Sequence, residues 1–203
     1  MKSAPIMKAH CLTSDQLYFD RVHTSILILH QRRYLSWSRN PVKDSPSRCL
    51  QSAMWTMASL FSAQFQHLHG SLYRETKQLL ETLSIGSDGR NPVDTKQTQA
   101  WILVATYESI RTHHKQAWMS AGRAFRMVQL MGLHKIDSPN KDVLPEVTDA
   151  EFSENEEKRR VFWMAYCMDH LFSMRNNSPI TLTENVVGQY FCVGLQLRLT
   201  NLL

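Results

Sequence analysis

Glycine is scarce in this chain, with 7 among 203 residues against an average usage of about 7%. Turn-rich β folds use glycine freely, so the shortage favours helices. Cysteine clusters are missing. Cys11, Cys49, Cys167 and Cys192 are scattered and form no Cys-x-x-Cys pair. A dizinc finger needs six thiolates close together, because each zinc takes four ligands and two are shared; these four cannot build one. Scattered cysteines suit a reducing compartment. The opening MKSAPIMKAH lacks the apolar core of a secretory signal. No run of about 18 uninterrupted apolar residues exists, so no membrane span is expected. Val186–Leu203 comes nearest, and Gln189, Gln196 and Arg198 interrupt it. Also missing are Gly-x-Ser-x-Gly, acids paired in register, a placed Cys–His pair and an Asp-rich metal motif. No catalytic residue, cofactor site or metal ligand is expected, and an all-α enzyme such as a terpene cyclase is disfavoured.

Present instead is an ordinary globular balance, 43% hydrophobic and 20% charged, enough for one core. The net charge of +5 is unevenly placed. Residues 1–50 carry eight Lys/Arg and three Asp/Glu, whereas the rest of the chain is balanced. Arg32, Arg33, Arg39, Lys43 and Arg48 lie close together there. A solvated helix end and loop explains them better than a nucleic-acid patch, because charge runs are weak signals.

The prolines all fall between apolar-periodic segments, and about six helices lie between them. The first covers Ser14 to Trp37, broken midway, with Leu17, Tyr18, Val22, Ile26, Leu29 and Tyr34 at helical spacing. Ser45-Pro46 opens a second, on which Leu50, Met54, Met57, Ala58, Phe61, Phe65 and Leu68 keep one stripe until Gly70 stops it. Ser71–Leu83 follows, and Gly86-Ser87-Asp88-Gly89 is a turn cluster. That cluster is no phosphate loop, since neither a preceding strand nor a Gly-Lys-Ser/Thr accompanies it. Asp94 or Thr95 caps the next helix, with Trp101, Ile102, Ala105 and Ile110 inward, and His113-His114 breaks it. From about Lys115 to Met131 a further helix buries Trp118, Ala121, Phe125 and Val128. Gly122 inside it costs roughly 1 kcal/mol against alanine, which close helix–helix approach would justify. Gly132 sits where a left-handed residue ends the helix, with Leu133 folding back. Residues 135–152 read as a polar loop. Ser153-x-x-Glu156 is a capping box that starts a last helix, whose buried side holds Phe162, Trp163, Tyr166 and Phe172.

Nine histidines invite a metal reading. His67-x-His69 and His113-His114 lack the i, i+4 spacing that a helical metal site needs. His23 and His30 have no carboxylate or cysteine in register with them. His134, after the glycine stop, faces the helix dipole. Arg123 and Arg126 belong to the wet side of their helix, and no helix-turn-helix can be assigned.

Two segments carry a family resemblance: QTQAWILVATYESIRTHHKQAWMSAGRAFRMVQLMGLHK and EEKRRVFWMAYCMDHLFSMRNNSPITL, in that order with a polar loop between. They resemble the fungal-specific transcription factor domain, the helical middle region of fungal zinc binuclear cluster regulators. YFDRVHTSILILH resembles the opening of that domain, without the prolines common near Thr24 and Leu27. The similarity covers residues 17–187. It divides the chain into an N-terminal extension (1–13), a partial regulatory domain (14–187) and an atypical tail (188–203).

The resemblance implies an all-α, irregular multi-helix fold and a nuclear transcriptional regulator of a metabolic or secondary-metabolite gene set, not an enzyme. Zinc belongs to the finger of family members. DNA contact would be indirect or through that finger, and other regulators, a second copy or a small-molecule effector would be the partners. Arg159, Arg160 and Asp169 resemble the family's charged positions; partner helices would supply their counter-charges through Asp94, Glu108 or Arg123. Family domains continue past the equivalent of Val187, so the tail GQYFCVGLQLRLTNLL is expected to be intron read-through or a frameshifted end. Exposed apolar faces should then make the chain sticky or dimeric. The alternatives are a helical interaction or scaffold module and a non-functional truncated paralogue.

Overall fold

A computed structural model describes residues 14–85, 93–136 and 148–182. Among these residues the chain is all-α, as expected. Its elements are α1 (residues 14–22, with Tyr18–Val22 wound as a π-turn), α2 (Gln31–Ser38), α3 (Ser45–Ser59), α4 (His69–Ile85), α5 (Thr95–Ile110), α6 (His114–Leu130) and α7 (Asp149–Asn176).

α5 is the centre. Every residue from Gln97 to Ala105 is buried, and α3, α4, α6 and α7 pack around it. A helix without a wet face must lie inside its domain, which accounts for its lack of one-sided patterning. Asp94 is the cap, its side chain accepting from the Lys96 N–H at 3.0 Å. The helix stops at Arg111, and Thr112 turns the chain with a φ of 63°. α6 then runs back against α5. Its end is the left-handed Gly132 (φ 62°), and the following Leu133 is buried, as the glycine stop predicts.

α3 meets α4 along a seam of small hydroxyl residues. Thr76 Oγ1 lies 2.8 Å from Ser52 Oγ and 3.0 Å from Thr56 Oγ. These buried hydroxyls bond each other or carbonyls one turn back, so close approach leaves none of the three without a partner.

Several local expectations change. The break expected midway in the first segment falls at 23–30, where Ile26 and Ile28 are buried and Leu27 between them faces out. Alternation of β-branched residues suits extended chain better than helix. α3 is capped at Asp44, not Ser45, and Pro46 sits in the first turn. It ends at Ser59, leaving Phe61 exposed, and Gly70 lies at the start of α4 instead of ending a helix. Ile110 and Trp118, expected inside, are 52% and 45% exposed; both lie close to the α5–α6 turn. A Cβ added at Gly122 would meet nothing within 4 Å, so close approach is not its reason. α7 starts earlier than expected. Thr148 and Glu151 form the capping box, with Glu151 N–H to Thr148 Oγ1 at 3.3 Å and Thr148 N–H to Glu151 Oε2 at 3.1 Å. Ser153 instead donates to the Asp149 carbonyl inside the helix. The Gly86–Gly89 turn, most of the 135–152 loop and the 188–203 tail lie outside the described residues.

Candidate functional site

Among the described residues four carboxylates are buried, and each fastens one element to another. Asp15 on α1 accepts from Tyr34 Oη (2.6 Å) and Trp55 Nε1 (2.7 Å), tying α1 to α2 and α3. Burial raises its pKa, although these hydrogen bonds oppose the rise. Glu157 on α7 accepts from the backbone N–H of His30 (3.2 Å) and from Gln99 Nε2 (3.0 Å), and pairs with Arg33 Nε at 3.2 Å. The same Gln99 nitrogen donates to the Ile28 carbonyl at 2.7 Å. Two internal side chains thus satisfy the backbone of the non-helical 28–30 segment, which would otherwise be costly to bury. Asp169 receives the backbone N–H of Thr181 (2.8 Å) and of Leu182 (2.5 Å) on one oxygen, folding the segment after α7 back along the helix.

The fourth, Glu108 on α5, is wholly buried. Tyr73 Oη donates to it at 2.6 Å, and Lys77 Nζ stands 3.2 Å away. Burial, then the Glu108 hydrogen bond and charge, push the Tyr73 phenol above its ordinary range. Lys77 also donates to Ser120 Oγ at 3.1 Å and lies 5.0 Å from the centre of the Trp101 ring. Arg123 covers the same ring at 4.5 Å and reaches Glu81 at 4.0 Å. Two cations over one buried indole, with a carboxylate beside them, lock α4, α5 and α6 together.

Among the described residues a cleft of about 900 Å³ opens at one end of the helices. Its walls are the entry of α3, the ends of α4 and α6, the start of α5 and the first turns of α7. Leu83, Val93, Met127, Met131 and Leu133 give an apolar lining, with Asp94, Lys135 and Lys158 among the polar groups. The size falls in the range of about 300–1,000 Å³ typical of ligand sites, and methionine adapts to varied shapes.

The sequence-named residues fall into three groups. Arg159 and Arg160 do find a carboxylate, but it is Glu156 on their own helix, at 2.6 and 3.0 Å. Burial would raise the Glu156 pKa, but the two guanidiniums hold it below the usual carboxylate range. Asp169 takes backbone N–H donors instead of a cation, Asp94 serves as a cap, Glu108 takes Tyr73 and Lys77, and Arg123 lies over Trp101 and reaches Glu81. The basic residues divide: Arg33 is engaged by Glu157 and Glu154 (3.5 Å), whereas Arg32, Arg39 and Arg48 are exposed. Among the described residues the histidines do not converge. His30 Nδ1 caps α2 by accepting from Arg33 N–H, His69 Nδ1 bonds Tyr107 Oη at 3.0 Å, and His114 contacts Arg175. Burial pulls His23 and His134 below the ordinary imidazole value. Among the described residues no group of three or more His, Cys, Asp or Glu could hold a metal ion, and no helix is long and apolar enough to cross a membrane.

Sequence reasoning missed Asp15 and Glu157. A signal existed for Glu157: it stands at i−4 from Val161 and i−8 from Ala165, in register with the apolar stripe. A charge in that register needs buried partners.

A helical domain whose buried acids bind backbone and aromatic groups, beside an open amphipathic cleft, is organised for packing and contact. Comparison with known proteins gives its class. A profile described as the fungal specific transcription factor domain matches residues 16–189. The chain belongs to this family. It is 66% identical over 173 residues to the citrinin biosynthesis transcriptional activator of Monascus ruber, covering 85% of this chain and 33% of that protein. It is 53% identical to the ascochitine biosynthesis cluster transcriptional regulator of Didymella fabae and 51% to a pigment biosynthesis transcriptional activator of Monascus ruber, covering 85% of this chain and 30% and 32% of theirs. The chain therefore spans about a third of the length of the curated relatives it matches. No solved structure matches it.

Proposed function

We propose that the chain is the regulatory domain of a fungal transcriptional regulator controlling a secondary-metabolite gene cluster. The observation that carries this reading is the 66% identity over 85% of the chain to a citrinin biosynthesis transcriptional activator. Its action is non-enzymatic and takes place in the nucleus. It contacts DNA indirectly, through a zinc-cluster finger or through other regulators. The cleft between α3, α4, α5, α6 and α7 is the place for a small effector, because its walls come from five helices and a ligand there biases how they pack.

A reporter assay tests the proposal. The 203-residue chain is fused to an unrelated DNA-binding module and expressed in a filamentous fungus with matching promoter sites. The expected result is a change in reporter output, altered by Met131→Glu in the cleft while expression level holds. Reporter output equal to that of the DNA-binding module alone would overturn a regulatory role. Exclusion of the tagged chain from nuclei would favour the scaffold reading instead.

A further inference from the structure

Unsatisfied charge is what the cleft at the start of α5 does not offer. Glu154 already holds Lys158 at 2.6 Å and Arg33 at 3.5 Å. The Asp94 carboxylate faces the N-terminus of α5, accepting from the Lys96 N–H, where the helix dipole balances it. Lys135 has no ion pair among the described residues, but it is exposed and stays solvated. Two side-chain amides in the lining are different. Gln97, in the first turn of α5, is only 8% exposed, and Asn155, in the second turn of α7, is half-buried. Neither side chain makes a hydrogen bond to any described residue. A buried amide without a partner costs free energy that a ligand atom would recover.

We propose that the cleft takes an uncharged, largely apolar small molecule carrying a carbonyl or hydroxyl oxygen, which the Gln97 amide binds. The proposal rests on the reading of the cleft as an effector site. Leu83, Met127, Met131 and Leu133 supply apolar contact, and the thioethers fit rings of varied outline. An amide both donates and accepts, so it pairs with a carbonyl or hydroxyl without bringing a charge inside. A charged ligand would have to give up its hydration with no unpaired counter-charge within the cleft. A volume of about 900 Å³ accommodates a fused-ring molecule.

Fluorescence titration of the full chain tests the proposal. The probe is prodan, a neutral naphthyl ketone whose emission reports hydrogen bonding at its carbonyl, with anilinonaphthalene sulfonate as an anionic counterpart. Prodan should bind at a single saturable site, more tightly than the sulfonate competing for it. Gln97→Leu, which keeps the bulk and removes the amide, should weaken prodan about tenfold and shift its emission to the blue. Met131→Glu should abolish binding, whereas Leu171→Ser with Met174→Ser, on the exposed side of α7, should leave it unchanged. Equal affinity and emission in Gln97→Leu, or binding that survives Met131→Glu, would overturn the proposal. If Gln97→Leu fails to fold, the carbonyl stretch of prodan bound to the parent chain decides the matter. A frequency lowered from that in hexane is expected; an unshifted one would overturn the proposal. Tighter binding of the sulfonate would also overturn it, leaving the cleft an effector site for anions. If neither ligand binds while the reporter assay still shows regulation, the cleft is no effector site and the regulatory role stands without it.

Discussion

α5 and α7 share a sequence property for opposite reasons. Neither has apolar residues gathered on one side. In α5 this is because neighbours surround it, and Gln97–Ala105 is buried without interruption. In α7 it is because both the core side and the solvent side are apolar beyond Val161. Pattern alone cannot separate a helix enclosed by its own domain from one that also exposes apolar residues to solvent. The burial map does.

The sharpest way to test the comparison is to hollow out the enclosed helix. Trp101→Ala should remove about 3–5 kcal/mol of stability in urea unfolding, enough to unfold a marginal domain. Met174→Ser on the open face should cost less than about 1 kcal/mol in the same assay. Similar losses at the two sites would break the distinction. Next comes Glu108→Ala, which leaves Lys77 beside Trp101 without its carboxylate and should cost about 3 kcal/mol. Glu108→Gln, keeping a partner for Tyr73, should lose less. The α7 counterpart is smaller: Thr148→Ala removes half of the capping box and should cost about 1 kcal/mol, with faster amide exchange confined to the first turn of α7.

The smallest expected effect is on pH dependence. Asp44, Glu154 and Glu156 have folded pKa values below their ordinary ones. Their contributions are present above the unfolded values of 3.8 and 4.5 and are lost as pH falls through the folded values. Asp15 is raised above 3.8, so its contribution runs the other way, weakening the fold as pH rises through its folded value. Asp15→Asn removes that opposition. Urea midpoints for the variant should therefore fall more steeply than for the parent as pH is lowered from about 5 to 3; a shallower fall would contradict the assignment.

Much of the architecture was legible from residues. The α5 cap at Asp94, the break at His113-His114, the Gly132 stop and the burial of Phe162 and Phe172 on α7, with Trp163 and Tyr166 only partly buried, follow from capping, glycine and spacing rules that act over a few residues. The failures share a cause. Phe61, Ile110 and Trp118 lie on apolar stripes but near helix ends, and whether an end is covered depends on the neighbouring loop's path. The competing boxes at Thr148 and Ser153 differ only in which hydroxyl faces the free N–H groups. The buried acids were least accessible. Asp15 finds its donors on Tyr34 and Trp55, and Glu157 finds His30, separated from it by 127 residues; no local pattern records such pairings. The family resemblance pointed to Asp169 but implied a charged partner, where the structure supplies backbone.

The His30–Glu157 hydrogen bond also sets an order for folding during synthesis. Its acceptor emerges from the ribosome 127 residues after its donor, so the cost of closing that large loop is met only once α7 has been made. Until then the α3–α5 core can assemble from near neighbours, while Ile28 and Leu29 wait without their final cover. Chaperone contact with the nascent chain should therefore concentrate on the segment around Ile28 and Leu29, although it is made before α3–α5.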